Sequence, residues 1–193
     1  MKWATLLHLA RTQKIDTVLQ VAFYRPEAEA LSLQAGKSSV RFPDVILEHF
    51  PRKLEEIGRL ARKSGLRVGV FNEPFMANGA SREEYIKKVV ARIKSLEHSR
   101  LLVLLDPDTG IALGPPKAEH ASPRDIQTIF GVLRPGDWLV LYQHAHRKGG
   151  WQVATLQRFA ETVGIRSDKI RQYSCRPLAK DVVLFAVKRT KLR

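Results

Sequence analysis

The stretch Arg100-Leu-Leu-Val-Leu-Leu-Asp-Pro-Asp-Thr-Gly-Ile111 decides the fold. Five apolar residues, Leu101 to Leu105, run without interruption into Asp106, Pro107, Asp108, Thr109 and Gly110. A short apolar run bounded by turn-forming residues predicts a strand buried on both faces, as in a parallel sheet. Pro107 and Gly110 make the loop that follows sharp. In open α/β sheets the ligand crevice lies outside the carboxyl ends of the strands, so Asp106 and Asp108 stand where chemistry could occur. Asp-Pro-Asp-x-Gly is also good turn chemistry in its own right, and that plainer reading stands beside it.

Outward from this strand, helical and extended patterns alternate. Trp3, Leu6, Leu7 and Ala10 recur at helical spacing and predict a helix ending near Arg11. Residues Asp16 to Phe23 read as the first strand, and no glycine follows in Tyr24 to Glu29, so it opens no Gly-x-Gly nucleotide loop. Residues 30–42 read as a loop. Gly36-Lys37-Ser38 lacks the upstream glycine of a phosphate loop. A helix from Pro43, interrupted near Pro51, runs to about Gly65. Leu66 to Phe71 reads as the second strand, and Ser81-Arg-Glu-Glu84 as a capping box opening the next helix. Beyond the central strand, Ser122-Pro123-Arg124-Asp125 opens another helix with Ser122 as N-cap. Trp138 to Tyr142 is the fourth strand, and a helix from Trp151 to Val163 stops at Gly164. Lys169 to Cys175 and Asp181 to Val187 read as an antiparallel pair, followed by a basic tail, 188–193. The pattern predicts one Rossmann-like, three-layer α/β/α domain over residues 1–193, with a mainly parallel sheet and an antiparallel C-terminal strand pair.

Composition narrows the function classes. The 33 Lys and Arg against 19 Asp and Glu give a net charge of +14, which favours polyanions and makes nucleic acid the first partner to expect. One cysteine excludes an internal disulfide framework and a Cys-rich metal site. No apolar run approaches the ~20 residues of a membrane span, and the N-terminus lacks a signal-peptide pattern. No membrane partner and a cytoplasmic location follow as expectations.

Parallel strands finish on one side of a sheet, so three loops should converge. They carry Asn72 and Glu73; Asp106 and Asp108; and Gln143, His144, His146, Arg147 and Lys148. Asp106, Asp108 and His144 have the chemistry of general acids and bases. Glu73, Asp106, Asp108 and His146 have that of divalent-metal ligands, with Mg²⁺ or Mn²⁺ the ions implied. Lys117, His120, Arg147 and Lys148 suit phosphate contacts. Each also has a bland reading as a solvated loop residue.

Asp106-Pro-Asp-Thr-Gly-Ile111, Lys117, His120 and Tyr142-Gln-His144 together resemble a group of uncharacterised bacterial proteins with Asp-Pro-Asp-x-Gly and Tyr-Gln-His segments. More broadly, the layout resembles Rossmann-like S-adenosylmethionine-dependent methyltransferases, in whose amino-methylating members an acidic residue and a proline end the fourth strand. That resemblance implies S-adenosylmethionine as cofactor and Asp106 as the residue orienting a substrate amine. Asp108 and Thr109 depart from the family pattern, as does the missing glycine-rich loop. Glu73 with Asp106 and Asp108 is also similar to the toprim type of metal site, which implies Mg²⁺-dependent phosphodiester chemistry; Pro74 stands where that family has glycine. A third possibility is a non-catalytic nucleic-acid-binding protein on a methyltransferase-like scaffold.

Overall fold

A computed structural model describes residues 2–23, 32–35, 38–41, 61, 63–75, 79–145, 149–175 and 179–191. The chain opens with helix α1 (Lys2–Gln13) and strand β1 (Thr17–Val21), followed by a hairpin of β2 (Ser32–Ala35) and β3 (Ser38–Arg41). Next come β4 (Arg67–Phe71), α2 (Gly79–Ser95), β5 (Leu101–Leu105) and the short strands β6 (Gly110–Ile111) and β7 (His120–Ala121). Helix α3 (Pro123–Val132), β8 (Trp138–His144), α4 (Trp151–Val163), β9 (Arg171–Cys175) and β10 (Ala179–Lys188) complete it.

Six strands form one sheet in the order β4-β1-β5-β8-β10-β9. The first four are mutually parallel, whereas β10 is antiparallel to both β8 and β9. The expected Rossmann-like α/β architecture, with its antiparallel C-terminal pair, is what the structure has. β5 lies in the interior of the sheet, and all five of its residues are wholly buried. Leu101, Val103 and Leu105 face the layer that contains α2, α3 and α4, while Leu102 and Leu104 face the layer that contains α1. Period-two alternation sends successive side chains to opposite faces, and β5, covered on both, is apolar at every position.

Local chemistry explains the element ends. Ser122 Oγ accepts from Asp125 N at 3.1 Å and Ser122 N donates to Asp125 Oδ2 at 2.8 Å, the reciprocal capping box read from the sequence. Gly164, at φ 66°, stops α4 in the left-handed conformation. Three expectations are corrected. Ser32–Ala35 and Ser38–Arg41 pair as antiparallel strands where a loop was expected, and α2 starts at Gly79, which places Ser81 inside the helix. β8 continues to His144, two residues past the expected end, because Thr109 O accepts from His144 N on one side and β10 pairs on the other. The helix expected from Pro43 lies mostly outside the described residues. Among those residues no helix is long and apolar enough to cross a membrane.

Candidate functional site

The carboxyl ends of β1, β5 and β8 meet around Asp106. Lys2, in the first turn of α1, places its Nζ 2.8 and 2.6 Å from the two carboxylate oxygens. Gln20 is a buried polar residue of β1; its Nε2 donates to Asp106 Oδ2 at 2.6 Å. Its Oε1 is buried without a hydrogen-bond partner. The Lys2 ammonium also lies 4.8 Å from the centre of the Tyr142 ring, a cation–π contact. The Asp106 carboxylate is thus held by one cation and one amide of its own chain. Burial first, and then the charges of Asp106 and Asp181, push the Tyr142 hydroxyl above its ordinary range. It is a neutral phenol at physiological pH.

These residues line a cleft of about 390 Å³ together with Ala22, Pro107, Asp108 and His144. The His144 ring stands edge-on to Tyr142 at 4.9 Å, and its Nδ1 is 3.8 Å from Asp181 Oδ2. The structure therefore brings Asp106, Asp108 and His144 together, as expected. It adds Lys2, Gln20, Tyr142 and Asp181, none of which was expected there.

Other expected members go elsewhere. Glu73 pairs with Lys88 at 2.9 Å and lines a separate cleft with Ser81, Glu84 and Tyr85. Glu73 thus lines a different cleft from Asp106 and Asp108. Among the described residues no three His, Cys, Asp or Glu side chains are grouped to hold a metal ion. His146, Arg147 and Lys148 lie outside the described residues. Lys117 is exposed, and Lys117 and His120 sit on the β6–β7 side, where Arg82 donates to both backbone carbonyls and to Asp125. Neither lines the Asp106 cleft.

Gln143 turns inward and is a strut. Its Oε1 accepts from Ile111 N at 2.9 Å, and its Nε2 donates to Thr109 O at 2.8 Å. Gly110 makes room for it: at φ 110°, a Cβ there would lie 2.2 Å from Gln143 Oε1. The amide of β8 therefore fixes the turn that carries Asp106 and Asp108.

Beyond β1, where a nucleotide-binding loop would bring glycine, the chain has Phe23 at φ 48°. Its ring packs on Phe75 at 5.1 Å and Tyr85 at 5.6 Å, and its N–H donates to the Tyr85 hydroxyl at 3.1 Å. Phe71 completes the cluster at 5.3 Å from Tyr85. Four buried aromatic residues fill the space past the ends of β1 and β4 on the α2 side. A cofactor held by close backbone approach needs that space open.

No family model matches this chain. No curated protein matches it either.

Proposed function

We propose that this chain is a nucleic-acid-binding protein on a Rossmann-like scaffold, and that its strand-end cleft does not carry out group transfer. The observation that carries the reading is an imbalance. The chain has a net charge of +14, yet the carboxylate best placed for catalysis is neutralised from within by Lys2 and Gln20. Both Asp106 oxygens accept hydrogen bonds from the chain's own Lys2 and Gln20, which compete with a substrate proton for the carboxylate. A polyanion partner needs only uncompensated cations.

The test is fluorescence anisotropy of a labelled duplex at low salt. Affinity should fall linearly in log–log form as salt rises from roughly 50 to 200 mM. Absence of binding at the low end would overturn the reading.

A methyltransferase-like reading has one observation in its favour. β10 enters antiparallel between β8 and β9, and Asp106-Pro107 ends β5, as the resemblance implies. The aromatic cluster at Phe23 opposes it, so the likeness is carried over for the scaffold alone. Calorimetric titration with S-adenosylmethionine checks this: saturable binding lost in Asp106→Ala would restore catalysis to the account. Against the metal-dependent phosphodiesterase reading, Glu73 pairs with Lys88 away from the cleft that holds Asp106, Asp108 and His144.

A further inference from the structure

We propose that the nucleic-acid backbone lies along the amino end of the sheet, the end opposite the Asp106 cleft. The proposal rests on the nucleic-acid reading above and adds the place of contact.

Register brings the relevant positions into a row. Arg67 is opposite Thr17, Thr17 opposite Leu101, Leu102 opposite Trp138, and Trp138 opposite Lys188. Arg171 starts β9 opposite Ala186 of β10. Because β10 runs backwards, its last residue joins the starts of its neighbours. The same end of the sheet therefore collects Lys14, Arg67, Arg100, Arg134, Lys169, Arg171, Lys188, Arg189 and Lys191, cations scattered over most of the chain's length. At about 4.8 Å between strands, six strands make a row of roughly 24 Å, about the length of seven base pairs.

Most of these cations are exposed, and three nearby acids are already engaged, while Glu97 stands exposed at the same end. Lys14, Arg134, Arg171, Lys188 and Lys191 are exposed and have no carboxylate partner among the described residues. The Asp137 carboxylate is buried and accepts from Leu101 N and Arg134 N, both at 2.9 Å. Asp16 is taken by Arg67 and by the amides of Ser99 and Arg100, and Asp168 by Arg166.

The surface is also held in shape. Gly136 N donates to Arg189 O and Arg189 N to Asp137 O, both at 2.8 Å, which joins the turn before β8 to the end of β10. Arg171 stacks on Trp138 at 4.9 Å and Arg189 on Phe130 at 4.8 Å, so two guanidinium groups are fixed before any partner arrives.

Chemistry selects the partner. A membrane surface calls for apolar side chains to insert as well as cations. The large hydrophobic residues exposed among the described ones are Leu113 and Val153, which follow β6 and β8 at the other end. A protein partner calls for an apolar anchor at the centre of the contact, and this row has none. A linear run of cations fits a linear run of phosphates.

The experiment is the salt dependence of duplex binding by the whole chain, wild type against Arg134→Ala/Arg171→Ala/Lys188→Ala. Each lost phosphate contact should lower the log–log slope by about one, so the triple variant should lose about three. Affinity near 0.1 M salt should fall by roughly an order of magnitude per contact. Because Arg171 packs on Trp138, the double variant Arg134→Glu/Lys188→Glu, at two exposed positions, serves if the triple variant does not fold. Lys117→Ala reports on the opposite end. An unchanged slope in the edge variants beside normal wild-type binding overturns this surface and leaves the nucleic-acid reading standing, as does a slope lost in Lys117→Ala instead. No wild-type binding overturns both. Binding to anionic vesicles but not to duplex overturns the choice of partner.

Discussion

The two ends of the sheet use charge in opposite ways. At the carboxyl end, charges are matched inside the chain: Lys2 with Asp106, Arg82 with Asp125, Lys88 with Glu73. At the amino end Asp16 and Asp137 are consumed by backbone amides and by Arg67, while Arg134, Lys188 and Lys191 face solvent. The first arrangement builds structure and the second leaves attraction to spare. Position at a strand's carboxyl end marks where a site can be built; the balance of partners there says whether its groups are available.

Three perturbations break or sharpen this contrast. The largest effect is expected from Asp125→Ala. Arg82 and Asp125 expose only 11% and 6% of their side chains, and removing the carboxylate leaves a guanidinium buried without its counter-charge and α3 without its capping box. Breaking such a pair costs about 4 kcal/mol, readable by denaturant unfolding, with duplex affinity per folded molecule unchanged. A fall in affinity would mean that the two ends are coupled. Next, the cycle Lys2→Ala, Asp106→Asn and the double variant should give a coupling of about 1 to 2 kcal/mol in unfolding free energy. A coupling near zero would show that Lys2 does not hold Asp106 in solution.

The smallest effect concerns Asp16. Burial would raise its carboxyl, but the amides of Arg100 and Ser99 and the Arg67 guanidinium outweigh burial and bring it to about 2 from 3.8. A carboxyl lowered on folding stabilises above its unfolded value and loses that contribution as pH falls through the folded one. Wild type should therefore lose stability between about pH 4 and 2, with that part of the loss absent in Asp16→Asn. The same variant should bind duplex slightly more tightly, since Arg67 is released. Weaker binding would remove Arg67 from the surface.

The sequence made the frame of the molecule legible because the frame depends on local patterns. Leu101 to Leu105, bounded by turn residues, reads as a doubly covered strand, Ser122 with Asp125 is a capping box written in four residues, and Gly164 stops its helix. Asp106, Asp108 and His144 were legible because each ends or follows a parallel strand. Lys2 and Gln20 were not: they lie 104 and 86 residues from Asp106, and no periodicity encodes a partner at that distance. Gln20 did leave a trace, as a polar residue facing inward from a buried strand. Gln143 misled because a polar side chain at a strand end looks available, whereas the missing side chain of Gly110 lets it turn inward. The basic row was hidden for a different reason. Its members are spread along the chain, and only the reversed direction of β10 brings Lys188 to the starts of its neighbours.

Hydrogen exchange of the whole chain with and without duplex tests the central claim most directly. Protection confined to the segments around Ser99–Leu101, Arg134–Asp137 and Lys188–Lys191, with Asp106–Ile111 unchanged, is the predicted result. Protection at Asp106–Ile111 and Lys117–His120, with the amino end unchanged, would contradict it and return the partner to the cleft.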